Sequence, residues 1–149
     1  MSSARNHDEW ARANGEIYPS KVAQYGFANW KGWTLNATAK ELFLGGISSR
    51  FLIPFNSTYA FEMTCLAVNN TTGAAKMVTR NGLIKNVAGT TSLVGTPTNV
   101  TVAQDSTMSG VAFAVTADNT NDALVVTVTG LASTDIMYNI TLKYTAITN

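Results

Sequence analysis

The sequence has one cysteine, Cys65, and one histidine, His7. A lone thiol excludes an internal disulfide, and one Cys with one His cannot furnish a four-ligand zinc cluster. Charge is scarce as well. Asp, Glu, Lys and Arg make up 13% of the 149 residues, against about a quarter in an average domain. The 10 basic and 9 acidic groups leave a net charge of +1. No basic field exists to draw in nucleic acid or anionic lipid, so neither is expected as a partner. No apolar run approaches the ~18 residues that span a bilayer. The opening "MSSARNHDEWARANG" also lacks the apolar core of a secretory signal. The expectation is a soluble chain made in a cytoplasm. Triplets such as Asn56-Ser57-Thr58 and Asn139-Ile140-Thr141 then read as accidents of an Asn- and Thr-rich composition rather than glycan acceptors.

Groups with obvious chemistry are equally thin. In "TADNTNDALVVTVTG", Asp118, Thr120 and Asp122 alternate as the oxygen ligands of a calcium loop do. Such a loop needs glycine at its sixth position and glutamate at its twelfth. Counted from Asp118, those positions hold Ala123 and Thr129. The stretch reads instead as a turn between strands, where Asn and Asp accept tight backbone angles. A nucleophile–histidine pair would have to use His7. Cys65 falls on the inward parity of an alternating strand, which suits a small core residue. Glu62 falls on the outward parity, and Asp105, Asp118, Asp122 and Asp135 sit in expected loops. No glycine-rich phosphate loop precedes a helix; Gly45-Gly46 reads as a turn. The expectation is a protein that is not an enzyme and holds no cofactor or metal.

What the chain does contain changes character near residue 34. Trp10, Trp30 and Trp33, all of its tryptophans, lie before that point. Ser3 to Asn14 has the caps and charge order of a short helix but too thin an apolar face to stand alone. Pro19 follows, then "YGFANWKGW", dense in aromatics and without a clear period. Residues 1–33 are therefore read as an N-terminal arm, extended or briefly helical. Its candidate interface anchors are Trp10, Ile17, Tyr18, Tyr25, Phe27, Trp30 and Trp33. Aromatics suit such a role because they bury much area for few frozen torsions. Wrapping of this segment onto its own domain is the alternative.

From residue 34 to 149 the signal is β. In "YAFEMTCLAV", Tyr59, Phe61, Met63, Cys65 and Ala67 share one parity. In "MYNITLKYTAIT", Tyr138, Ile140, Leu142, Tyr144 and Ala146 share a face opposite Asn139, Thr141, Lys143 and Thr145. Such alternation marks strands with one wet side. "GVAFAVTA" and "ALVVTVTG" are further β-branched runs, and Pro54 ends "RFLIPF". "KMVTRNGLIKNV" fits either a hairpin at Asn81-Gly82 or one long strand bulged at Gly82. Six to eight short strands predict an all-β domain, an antiparallel, jelly-roll-like β-sandwich.

"TAKELFLGGISSRFLIPFNSTYAFEMTCLAV", "GLIKNVAGTTSLVG" and "VTADNTNDALVVTVTG" together resemble a β-sandwich module of tailed-phage virion structural proteins. Thr38, Ala39, Leu42, Phe43, Leu44, Gly46, Arg50, Leu52, Ile53 and Pro54 match its opening pattern, and the likeness spans about residues 34 to 148. The chain departs from the module where neutral "AVNNTTG" replaces a charged segment. It also lacks the shaft repeats of a long fibre. The resemblance, with the aromatic arm, implies a capsid decoration (cement) protein. It would bind the major capsid protein of the phage head as a homotrimer and remain in the virion. A short tail-fibre or appendage protein that binds a host surface glycan or receptor is the alternative. A glycan-cleaving enzyme is a third reading, and no acid pair supports it.

Overall fold

The computed structural model describes residues 22–149. The helix expected over Ser3–Asn14, and the anchors Trp10, Ile17 and Tyr18, lie outside the described residues. The described chain is all β, with one short 3-10 turn at Ser106–Met108. Its strands are β1 (Val22–Thr34), β2 (Lys40–Leu44), β3 (Phe51–Leu52), β4 (Ser57–Asn69), β5 (Ala75–Val87), β6 (Thr90–Leu93), β7 (Val100–Gln104), β8 (Ala112–Asp118), β9 (Ala123–Thr129) and β10 (Ile136–Thr148). Every ladder between them is antiparallel.

These strands form one continuous curled sheet rather than two separately hydrogen-bonded layers. β2 is the hinge of that continuity, because it pairs with β1 at Lys31 and Trp30 and with β9 at Val126 to Val128. The expectation of many short strands also gives way. β1, β10, β4 and β5 lie side by side and each runs 13 residues. "KMVTRNGLIKNV" resolves as the long strand: Asn81 and Gly82 pair with Glu62 and Phe61 in unbroken register. The bulge lies elsewhere, at Met77/Val78, where β7 joins β5. A Cβ on Gly82 would stand 2.9 Å from the Phe61 ring, so this glycine serves close packing rather than a turn.

The strand parities expected from sequence hold. Tyr59, Phe61, Met63, Cys65 and Ala67 of β4 are buried, as are Tyr138, Ile140, Leu142 and Ala146 of β10. The core closes around them with Trp30, and with an aromatic cluster in which Phe51 meets Tyr59 at 5.6 Å and Tyr144 at 5.5 Å. Cys65 is fully buried, and burial pushes its thiol up to about 12. Since only the thiolate reacts readily, a disulfide reagent should label the native protein at least about a thousandfold more slowly than the urea-unfolded chain. Equal rates would place Cys65 outside the core.

The curl is completed by polar groups. β5 turns Lys76 and Arg80 inward, and both are buried. Lys76 Nζ donates to the carbonyls of Val111 at 2.6 Å and Ser109 at 3.0 Å. Arg80 Nη1 donates to the Phe113 carbonyl at 2.5 Å and its Nε to the Thr98 carbonyl at 2.6 Å. Two cations thus satisfy the carbonyls of Val111 and Phe113 where β8 begins, acceptors that would otherwise be buried without these partners. Further along, Thr91 of β6 donates its amide N–H to Asn119 Oδ1 and its hydroxyl to Asp122. One end of the curled sheet is stitched to the other.

Residues 22–33 were expected to belong to an arm; the structure corrects this. They form most of β1, which pairs with β10 over its full length, from Val22↔Thr148 to Thr34↔Ile136. Trp30 is 1% exposed and is a core residue, not an external anchor. On either side of Trp30 the inward row of β1 is small: Gly26, Ala28 and Gly32. A Cβ at Gly26 would fall 2.5 Å from Tyr144 Oη, and one at Gly32 would fall 2.8 Å from Leu42 Cδ2. Large neighbours fill the space that β1 leaves.

Candidate functional site

Small residues inside leave the large residues of β1 outside. Tyr25 is 61%, Phe27 74% and Trp33 51% exposed. These three anchors of the sequence reading therefore share one surface, the outer face of β1, β10, β4 and β5. The register sets their neighbours across the strands. Phe27 stands beside Lys143, which stands beside Glu62. One row further, Asn29 stands beside Thr141 and then Thr64. Met137, Ile147 and Leu66 add exposed apolar area to the same face.

An open depression of about 500 Å³ lies at the centre of this face, lined chiefly by Phe27, Asn29, Glu62, Thr64, Thr141 and Lys143. One of its polar groups is fixed by hydrogen bonds. Asn29 Nδ2 donates to Asn139 Oδ1 at 2.6 Å and to the Ile140 carbonyl at 3.0 Å. That leaves the Asn29 side-chain oxygen as an acceptor with no protein donor drawn to it by these bonds. Lys143 Nζ and Glu62 Oε1 stand 3.6 Å apart, both largely exposed, so their attraction is weak and each can bond outward. Trp33 is held differently: Lys40 Nζ lies 4.6 Å from its ring centroid and donates to its carbonyl.

The stretch that alternates oxygens like a calcium loop is built as a turn. Asp118 Oδ1 accepts the amides of Thr120 and Asn121, and Oδ2 accepts the Asn121 side chain at 2.7 Å. The Asn121 side chain and those amides hold the Asp118 carboxyl below its ordinary value. Asp122 takes a positive φ of 52°. The other carboxylates of the described residues also have partners: Glu41 with Arg50 at 2.9 Å, Asp105 with the Ala75 amide, Asp135 with Asn70.

Sequence reading found the aromatics of this face and missed their companions. Asn29, Asn139, Thr141 and Thr64 carry no motif, and only the strand register brings them together. Parity on "MYNITLKYTAIT" did place Asn139, Thr141 and Lys143 on one wet side.

No known family model matches the chain, and no curated protein does. Among solved structures it is similar to a tailspike protein of Acinetobacter baumannii bacteriophage Fri1, a capsular polysaccharide depolymerase. That likeness has 13% identity and a TM-score of 0.39, and covers 90% of this chain and 21% of the other. It is also similar to the tailspike protein of Acinetobacter phage vB_ApiP_P1, with 15% identity, a TM-score of 0.29, and coverage of 85% and 22%. The chain spans about a fifth of the length of either.

Proposed function

We propose that this chain is a non-catalytic module of a tailed-phage virion appendage, and that its outer β1–β10–β4–β5 face binds a host surface glycan. The observation that carries the glycan reading is the setting of Phe27. Its ring is 74% exposed at the rim of a depression that combines apolar wall from Ala28 and Leu142 with the amide, hydroxyl, ammonium and carboxylate groups of Asn29, Thr64, Thr141, Lys143 and Glu62. A sugar ring presents an apolar face of C–H groups and a rim of hydroxyls. Phe27 supplies the stacking plane, while Asn29, Thr64, Thr141, Glu62 and Lys143 supply donors and acceptors. The phage setting comes from the sequence resemblance over residues 34–148.

Decoration of the head shell is the second reading. It rested on residues 1–33 as an arm that grips the major capsid protein. With Val22–Thr34 committed to the sheet, Tyr25, Phe27 and Trp33 become parts of a face, and Trp30 leaves the set of grips. The same exposed face could meet capsid subunits, so the two readings part on what the face binds.

The test is a screen of the full chain against bacterial surface polysaccharides and isolated phage heads. Glycan binding with a dissociation constant near 1 mM or tighter is expected, since the site is shallow and open. Phe27→Ala and Asn29→Ala should each weaken it at least about tenfold, whereas Met77→Ala, on β5 two rows from Phe27 and outside the depression's lining, should not. Binding to heads and to no glycan, lost on Phe27→Ala, would move the protein to the shell. Binding to neither sinks both readings.

A further inference from the structure

The terminal edges of the curled sheet are treated differently. At β8, buried Lys76 and Arg80 occupy the carbonyls of Val111 and Phe113. At β6, the Thr91 amide is taken by Asn119. β7 pairs with β5 on one side and, among the described residues, has no strand on the other. All five of its residues, Val100 to Gln104, are exposed, with Val100 at 51% and Val102 at 52%. Asp105 pins its end to β5 by accepting the Ala75 amide at 2.8 Å. The sequence from Asn86 to Gln104 contains no charged residue. Exposed edges are commonly guarded by lysine or another charge; this one is not.

We propose that the free edge of β7 is a self-association edge, at which a second copy of this chain lays its own β7 antiparallel to the first. A neutral strand rich in Val and Thr is compatible with itself, since no like charges face each other across the pair. Pairing of β7 with the β8 of another copy would run on into a filament. Arg80 obstructs that route where β8 begins, because it lies against the strand and holds the Phe113 carbonyl, while Lys76 holds that of Val111 just before it. β7 against β7 is related by a two-fold axis and closes at two copies. The bulge that leaves Val102 without a β5 partner adds local twist and keeps the paired segment short. Five strand residues bury well under the ~800 Å² per partner of a stable complex, so the dissociation constant should be about 0.1 mM. The edge lies apart from the Phe27 depression and stands independently of the glycan reading.

Sedimentation of the full chain from about 10 µM to about 1 mM tests this over the range that such a constant requires. The average mass should climb from one copy toward two. Val102→Lys should raise the dissociation constant at least about tenfold by setting like charges across the two-fold axis. Its melting temperature should stay at the wild-type value, because Val102 is already half exposed. Phe27→Ala should leave association unchanged. One-copy mass throughout, a plateau at three copies, or association lost on Phe27→Ala and kept in Val102→Lys would each overturn the proposal.

Discussion

Replacing Trp30 with alanine should destabilise the protein by about 4 kcal/mol, within the range for truncating a buried tryptophan. Trp30 is 1% exposed, and its ring centroid lies 5.8 Å from that of Phe51. Truncation removes a large apolar surface and opens a cavity. The neighbours cannot collapse into it freely, because β1 is fixed to β10 over 13 paired residues. Phe27→Ala and Trp33→Ala, at 74% and 51% exposure, should cost less than about 1 kcal/mol each. Urea unfolding followed by circular dichroism would separate the two classes through the midpoint at constant slope. The contrast matters because all three residues belong to one aromatic segment, whose sequence alone does not rank them. Equal, small losses for all three would return Trp30 to the outside and restore the arm.

That segment shows why part of this fold was legible and part was not. On β4 and β10 large apolar residues face in and polar ones face out, so a period of two is plain in "YAFEMTCLAV" and "MYNITLKYTAIT". β1 inverts the habit. Gly26, Ala28 and Gly32 face in beneath Tyr144 and Leu42, while Tyr25, Phe27 and Trp33 face out. Hydrophobicity then alternates in the wrong sense, Trp30 breaks even that, and a long central strand reads as an aperiodic arm. The inversion also marks the surface as unusual, because exposed aromatics in a row across one sheet face are a departure from ordinary wet sheets.

At Gly82 the sequence left a hairpin and a long bulged strand both open. Asn-Gly is the strongest short hairpin signal, yet β5 runs straight through it. The ring of Phe61 and the side chain of Pro97 occupy the space a side chain would need. A local preference lost to a tertiary contact that connects residues far apart in sequence. The depression itself was illegible for the same reason. Asn29 and Asn139 are 110 positions apart, and their 2.6 Å hydrogen bond exists only because β1 and β10 pair in one register. Cys65, by contrast, needed nothing beyond its own strand's parity to be assigned to the core.

Arg80→Ala should cost about 3 kcal/mol and should loosen β8 before the rest of the sheet. Nothing else in the hydrogen-bond pattern replaces its bonds to the Thr98 and Phe113 carbonyls. The Phe113 carbonyl is buried and the Thr98 carbonyl partly so; a buried acceptor left unsatisfied costs about 1–3 kcal/mol, and the lost packing of the buried stem adds to it. Arg80→Met keeps much of the packed stem and should be nearly as destabilising, because the carbonyls are orphaned in both. Hydrogen exchange should show β8 and β9 amides losing protection in either variant while β4 and β10 keep theirs. Lys76 gives the same seam a pH dependence. Burial lowers its folded pKa from the ordinary 10.5, so between the two values the unfolded chain holds the extra proton. Stability therefore rises with pH across that window, is complete in this respect above 10.5, and is lost as pH falls through the lowered value. Lys76→Met should flatten that slope and Arg80→Met should not, since a guanidinium stays charged throughout. Uniform loss of protection across all strands in Arg80→Ala would mean that the curl is held by its apolar core alone and that the two cations merely fill its rim.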